Sequence, residues 1–217
     1  MKRNPKYDIS LTQMVSTDKV YQTKDIPPIY RDNLSDVQKQ VITDWVVDST
    51  FINAAARYGK RADEFITNPE KFDDANRGKK IIEGMIAGES LNQSYEVYRG
   101  LKKYDIDRVK RSLQIMREIG ELDELSDKGF TSVTFNEKTP LVYATPDEND
   151  ELWIYSSILD EGAPALFIGN ENPTNSGFRK EGEILINRKT KYYILGDEIV
   201  NIKYKDGTLK KVTSDRY

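Results

Sequence analysis

The sequence contains no cysteine and no histidine. Without cysteine, disulfide bonds, thiolate nucleophiles and cysteine-bound metals are excluded. Without histidine, the chain lacks the usual general base and the commonest metal ligand. Any catalysis must therefore rest on carboxylates, basic side chains or hydroxyl groups, and we expect no metal site.

The sequence also lacks a strong excess of charge of one sign and any long hydrophobic run. Its 33 basic and 36 acidic residues give a net charge of -3, so a nucleic-acid partner is not implied. No stretch approaches the ~20 apolar residues of a membrane span, and the N-terminus has no apolar signal core. We expect a soluble protein with no membrane partner that stays in the cytoplasm.

Aromatic residues are plentiful, with 13 Tyr, 7 Phe and 2 Trp among 217 residues. A chain of this length and composition is long enough to bury a substantial core. Residues 1–30 are polar and contain Pro27 and Pro28, which disfavour helix, so they are interpreted as an N-terminal arm or linker. Residues 31–217 are then a single domain.

Helical patterns dominate residues 34 to 90. Ser35 is a candidate N-cap for an amphipathic helix that breaks near Ser49, and Pro69 suits the first turn of a further helix. The apolar stripes of both helices are interpreted as core. Another helical pattern, over 105–119, stops at Gly120.

Short strands separated by turns are predicted for most of the remaining chain. "SYEVYRG" (94–100) is the first, and from Gly129 the series includes "GFTSVTF", "LVYAT" (141–145), "ELWIYSSIL" and "GEILI". The strand-rich core therefore covers about 95–212, and the whole domain is predicted to be α+β. The acidic stretches "GELDELSD" (120–127) and "TPDENDE" (145–151) are interpreted as solvated surface.

Two glutamates, Glu181 and Glu183, stand at the head of the apolar segment that continues Ile184 and Leu185. Residues two apart on a strand share a face, so their carboxylates are expected to face a common space. Such a pair is stable on a solvated edge, or where a cationic ligand or transition state is bound. The glutamates alone do not decide between these two situations.

Two other segments offer polar side chains at strand ends. Arg99 ends a predicted strand just before Gly100, where a guanidinium offers a planar fork for a phosphate or carboxylate. Ser132 and Thr134 place two hydroxyls on one strand face. Each pattern alone is also typical of an ordinary surface.

Taken in order, "VYRG" (97–100), "GFTSVT" (129–134) and "FRKEGE" (178–183) resemble the mono-ADP-ribosyltransferases of the arginine, STS, E-x-E class. This class includes bacterial toxins and phage enzymes that modify host proteins. The resemblance covers roughly Leu34 to Val212. It departs from the family pattern at Val133, which replaces the middle residue of S-T-S and is expected to point away from the cleft.

The resemblance implies a split, twisted β-sandwich core that binds NAD as a substrate. It implies that Arg99 holds a phosphate of NAD and that Gly100, Ser132 and Thr134 line the same site. It also implies that Glu183 is the catalytic glutamate, with Ser132 fixing its rotamer.

For the target side, the resemblance implies that Glu181 faces the incoming nucleophile and that Phe178 touches the target protein. A glutamate at the position of Glu181 goes with arginine as the acceptor in this family. The predicted function is therefore transfer of ADP-ribose from NAD to a target-protein arginine, with release of nicotinamide. The alternatives are an NAD glycohydrolase, or a catalytically silent module of the same fold that only binds a partner.

Overall fold

A computed structural model describes residues 34–120, 124–135, 139–169, 182–193, 196–203 and 209–216 of the chain. The predicted N-terminal arm, Phe178 and Glu181 lie outside these residues.

The described residues form five α-helices and one 3-10 helix, mostly in the first half of the chain. They are α1 (Asp36–Val47), α2 (Thr50–Tyr58), a 3-10 helix (Gly59–Glu64), α3 (Pro69–Gly88), α4 (Lys103–Ile119) and α5 (Thr139–Tyr143). No helix within the described ranges is long and apolar enough to cross a membrane.

Within the described ranges, nine strands follow or interrupt these helices. They are β1 (Tyr95–Gly100), β2 (Glu124–Ser126), β3 (Thr131–Thr134), β4 (Leu152–Leu159), β5 (Ala165–Gly169), β6 (Glu183–Ile186), β7 (Lys191–Tyr193), β8 (Gly196–Lys203) and β9 (Leu209–Arg216). Seven of them form one sheet in the order β5-β6-β3-β1-β4-β9-β8, and β2 pairs with β7. Only β4 and β9 run parallel within the large sheet. The predicted α+β class, with helices first and strands after, is confirmed.

The helix boundaries follow the signals in the sequence. Ser35 accepts a hydrogen bond from the backbone N–H of Gln38, and Gln38 reaches back to the backbone of Ser35 in a capping box. Pro69 opens α3, and Gly120 ends α4 at φ 72° in the left-handed conformation that glycine adopts readily. The break expected near Ser49 separates α1 from α2.

The large sheet buries a separate hydrophobic cluster on each face. On one face, Phe130 and Leu185 pack with Trp45 of α1 and Ile82 of α3. On the other, the cluster joins residues of α4 and β2 to alternate residues of β1, β3 and β6, and it includes Val133. Successive side chains of a strand point to opposite faces, so the same short strands serve both clusters.

The prediction of a strand at "LVYAT" (141–145) is wrong, because residues 139–143 form the short helix α5. Pro140 suits the first turn of a helix because its fixed φ and missing N–H are no handicap there. Leu141 is fully buried, so the apolar run is explained by burial on a helix as well as it would be on a strand. Short apolar runs do not distinguish these two cases by pattern alone.

The interpretation of both acidic stretches as solvated surface is also wrong in part. Leu125, in the first stretch, is buried and lies on β2. In the second, the side chain of Asp147 is only 1% exposed and accepts hydrogen bonds from Lys110 Nζ (2.9 Å) and Trp153 Nε1 (3.1 Å). Asp147 also accepts bonds from the backbone N–H groups of Asn149 and Glu151. The side chain of Asp147 therefore accepts the hydrogen bonds that hold this loop in place.

Replacing Asp147 by Asn is expected to lower stability in a pH-dependent way. Burial alone would raise the pKa of Asp147, but the bonds from Lys110, the loop backbone and Trp153 lower it to about 2. Because the folded pKa lies below the unfolded one, the stabilisation is present above pH ~4 and is lost as the pH falls towards 2. Asp147→Asn should cost roughly 2 kcal/mol at pH 7 and almost nothing near pH 2. Urea unfolding at several pH values measures this.

Glu148→Gln is the matched control, because Glu148 binds the same Lys110 Nζ at 2.6 Å but is 61% exposed. An exposed pair contributes little, so this variant should unfold nearly as the wild type does. Equal, pH-independent losses in the two variants would contradict a stabilising role for the buried Asp147 carboxylate.

Candidate active site

A cleft of about 870 Å³ opens between helices α1 and α2 and the strands β1, β3 and β6. The five site residues that the sequence predicted and the structure describes all line it: Arg99, Gly100, Ser132, Thr134 and Glu183. Separate strands supply them, so the cleft exists only once the sheet has assembled. Its volume falls within the range of pockets that hold drug-sized or cofactor-sized molecules.

Strand pairing places Glu183 against the Ser-x-Thr segment. Thr134 of β3 is the direct neighbour of Glu183 on β6, and Ser132 is one diagonal step away on the same face. From there Ser132 Oγ donates a hydrogen bond of 2.6 Å to Glu183 Oε1. The structure thus makes the contact that the family resemblance implied. The side chain of Val133 turns to the other face, where it is 2% exposed in the core.

A second donor to Glu183 is Trp45, which sequence analysis interpreted only as core. Its indole Nε1 donates to the same Oε1 atom at 3.1 Å, although the side chain is indeed buried at 4% exposure. A buried indole N–H ordinarily needs a hydrogen-bond partner, and this is the signal that marks Trp45 for attention. The apolar pattern of α1 does not identify a partner 138 residues away.

The pKa of Glu183 is raised above its ordinary value. Burial is the main cause, and the hydrogen bonds from Ser132 and Trp45 and the charge of Arg99 offset part of it. Ser132, Trp45 and Arg99 favour the ionised carboxylate, whereas its removal from water disfavours ionisation. A carboxylate in this situation is suited to stabilise a positive charge brought to it, because that charge lowers the cost of its ionisation.

The strand that carries Glu183 begins at that residue. Gly182, immediately before it, has φ 56°, and a Cβ there would lie 2.4 Å from Cζ of the Phe135 ring. A glycine is therefore required at this point both by conformation and by space. The prediction that Glu181 and Glu183 share a strand face involves a residue outside the described ranges and stays a prediction; among the described residues, β6 begins at Glu183.

Arg99 and Gly100 end β1 at the rim of the cleft. The ion pair between Arg99 Nη2 and Asp105 Oδ2 is long, at 3.9 Å, which leaves the guanidinium donors available for a ligand. Gly100 lies so close to α5 that a Cβ would be 2.2 Å from Pro140 O and 2.6 Å from Ala144 N. The backbone at α5 therefore approaches Gly100 too closely for a residue with a Cβ at this position.

Helix α2 holds the start of β3 through two side chains that sequence analysis did not single out. Arg57 binds Asp127 through two hydrogen bonds (3.2 and 3.0 Å), and Asn53 Oδ1 accepts the backbone N–H of Phe130 at 3.0 Å. Burial opposes ionisation of Asp127, but Arg57 and the N–H of Gly129 outweigh it and lower its pKa. Asp127, which was predicted to be solvated, therefore pairs with Arg57 and helps to hold the "GFTS" segment against α2.

The charge lining the cleft is mainly positive, in contrast to the whole chain. Five basic side chains line it, against three acidic ones; the basic ones are Arg57, Arg99, Lys102, Arg108 and Lys128. Burial and the nearby Arg99 lower the pKa of Lys102. The excess of guanidinium and ammonium donors suits a ligand that carries phosphates, such as a dinucleotide. Among the residues that the structure describes, no group of three acidic side chains is arranged to hold a metal ion.

Comparison with known proteins gives a family match and many structural neighbours. The sequence model of the family described as ADP-ribosyltransferase exoenzyme matches residues 23–216. No curated protein sequence matches the chain significantly.

Three solved structures illustrate the likeness, and each aligns with 85% of this chain. The enzymatic component C2-I of the C2 toxin from Clostridium botulinum has 18% identity and a TM-score of 0.59, and this chain spans 44% of its length. Plx2a, an ADP-ribosyltransferase toxin from Paenibacillus larvae, has 20% identity and a TM-score of 0.57, with 87% of its length covered. C3stau2 from Staphylococcus aureus, solved with NAD, has 16% identity and a TM-score of 0.53, with 87% covered. At these low sequence identities, the three structures show only that the fold is shared.

Proposed function

Because the chain belongs to the ADP-ribosyltransferase exoenzyme family, we propose that it transfers ADP-ribose from NAD to an arginine of a target protein. The family confirms the resemblance drawn from the three motifs and supports NAD-dependent ADP-ribosyl transfer. The choice of arginine as acceptor rests on the sequence, through Glu181.

The hydrogen bond from Ser132 to Glu183 inside a basic cleft is the observation that carries this proposal. Breaking the bond between nicotinamide and ribose releases a neutral base from a cationic one and leaves positive charge on the sugar carbon. A carboxylate fixed beside that carbon stabilises the transition state more than the ground state. Glu183 lines the cleft and is held in position by the uncharged donors Ser132 and Trp45, whereas Asp127, which also lines it, is paired with Arg57.

The other residues of the cleft have roles that follow from their chemistry. The fork of Arg99 suits a phosphate oxygen of NAD, and Gly100 and Thr134 shape the wall beside it. The arginine acceptor is normally protonated, so it must lose a proton as its nitrogen bonds to the sugar carbon. We assign Glu181 to binding that guanidinium and helping to take its proton, and Phe178 to contact with the target.

The biological setting belongs to the same proposal. A protein-modifying enzyme of this kind would act where its target is, and we place that in the cytoplasm of a host cell, as for a phage enzyme or an effector.

Glu181→Ala is expected to separate transfer from hydrolysis. Loss of the acceptor-facing carboxylate should lower transfer to an arginine-containing peptide at least ~100-fold, while nicotinamide release to water changes less than about threefold. The measurement pairs labelled ADP-ribose on the peptide with free nicotinamide, using a peptide with lysine in place of arginine as the acceptor control. Equal losses of both activities would remove Glu181 from acceptor binding. A wild-type enzyme that releases nicotinamide but labels no arginine in peptide or host lysate would be a glycohydrolase.

A further inference from the structure

Two side chains of the described residues donate to the Glu183 carboxylate, and both bonds end on the same oxygen. Ser132 Oγ and Trp45 Nε1 each donate to Oε1, at 2.6 and 3.1 Å. Within the described part of the chain, Oε2 receives neither of these donors. The two oxygens of the carboxylate are therefore chemically different before any ligand binds.

The indole of Trp45 is held rigidly in its place. It is 4% exposed and meets the ring of Phe130 edge to face, with centroids 5.8 Å apart and planes at 84°. Phe130 is fixed in turn, because its backbone N–H donates to Asn53 of α2. Because the indole is packed in this way, its N–H points at one acceptor, the Oε1 atom of Glu183.

We propose that Trp45 is a positioning residue for the reaction, which orients the Glu183 carboxylate together with Ser132 and leaves Oε2 free for the sugar. This inference rests on the proposed catalytic role of Glu183. Two donors on one oxygen define the rotation of the carboxylate plane, whereas the serine alone would leave it free to turn. Helix α1 thereby becomes part of the catalytic apparatus as well as of the core.

The alternative is that Trp45 only fills space, and Trp45→Phe distinguishes the two. Phenylalanine keeps an aromatic ring against Phe130 but removes the N–H donor. We expect kcat to fall about tenfold with less than a threefold change in the KM for NAD, because geometry rather than binding is lost. A residue that only fills the core would not change kcat in this selective way.

The pH profile should move as well. The indole N–H favours the ionised form of Glu183, so its removal raises the pKa of Glu183 and moves the acid limb of kcat to higher pH, by up to about one unit. Arg99 acts on Glu183 from β1. The remaining charged side chains around the cleft, unchanged in the variant, are Arg57, Lys102, Asp105, Arg108, Asp127 and Lys128.

Trp153→Phe is the matched control. The indole of Trp153 also donates to a carboxylate at 3.1 Å, that of Asp147, but Trp153 does not line the cleft. The same chemical deletion is made there, so any loss that follows from removing a buried indole N–H in general appears in both variants. We expect kcat and the acid limb to remain at wild-type values in Trp153→Phe.

A second measurement needs neither NAD nor a change at Trp45. The chain has 2 tryptophans, so Trp153→Phe leaves Trp45 as the sole indole emitter. Its emission should change with pH as Glu183 ionises, and adding Glu183→Gln should abolish that change. This keeps the inference testable if Trp45→Phe does not fold.

The outcomes separate the inference from the proposed function. If Trp45→Phe keeps wild-type kcat and acid limb while Glu183→Gln is inactive, the inference is overturned and the function stands. If Trp45→Phe does not fold and the emission of Trp45 is unaffected by Glu183→Gln, the inference is overturned as well. If Glu183→Gln retains activity, the catalytic role proposed for Glu183 fails and the inference fails with it, while transfer of ADP-ribose is still observed.

Discussion

Glu183→Gln is expected to abolish both ADP-ribosyl transfer and NAD hydrolysis, with kcat lowered at least ~1000-fold. Glutamine has nearly the shape of glutamate, and its amide oxygen still accepts the bonds from Ser132 and Trp45, so the fold and the binding of NAD should persist. What is lost is the negative charge beside the sugar carbon as nicotinamide leaves. The loss should therefore appear in kcat and not in the dissociation constant for NAD.

The experiment measures nicotinamide release, labelling of an arginine peptide and NAD binding in the same preparation. Glu83→Gln is a suitable control, because Glu83 pairs with Arg188 and does not line the cleft. The same loss of one charge there should leave kcat unchanged. Nicotinamide release above a tenth of the wild-type rate in Glu183→Gln would rule out Glu183 as the catalytic carboxylate.

Gly100→Ala is expected to destabilise the fold severely, by at least ~3 kcal/mol, or about 10 °C in melting temperature. Its Cβ would collide with Pro140 O and Ala144 N, the two ends of a backbone hydrogen bond of 2.8 Å in α5. Backbone cannot move aside as a flexible side chain does, so β1 and α5 must separate. Since Arg99 precedes Gly100, the separation of β1 from α5 should also displace Arg99, the residue predicted to bind a phosphate of NAD.

Gly84→Ala provides the opposite case. Gly84 lies inside α3, and a Cβ there meets nothing within 4 Å. Alanine is the better helix former by ~1 kcal/mol, so this variant should melt at a higher temperature. A Gly100→Ala protein that melts within two degrees of the wild type would show that α5 moves away from β1 at little cost.

Local patterns predicted those parts of the fold that local chemistry decides. The capping box at Ser35, the proline that opens α3 and the glycine that ends α4 each act within one helical turn. The ordered motifs around Arg99, Ser132 and Glu183 predicted a shared cleft, because a family pattern preserves relations between distant strands.

Contacts between distant residues were not predictable in this way. The partners of Trp45 and Arg57 lie 138 and 70 residues further along the chain, and no periodicity identifies them. Asp147 appeared solvated because its segment is acidic, and only the folded loop shows the four donors that surround it. The helix α5 was missed because its apolar residues satisfy a strand pattern equally well.

The bond between Trp45 and Glu183 also has a consequence for the order of events during synthesis. A ribosome adds roughly 5–20 residues per second, so the 138 residues between the two partners take on the order of 7–28 s to make. During that interval α1 and α2 can form, but the carboxylate has not yet been added to the chain. The contact between Trp45 and Glu183 therefore cannot form in a nascent chain until β6 has emerged and joined the sheet.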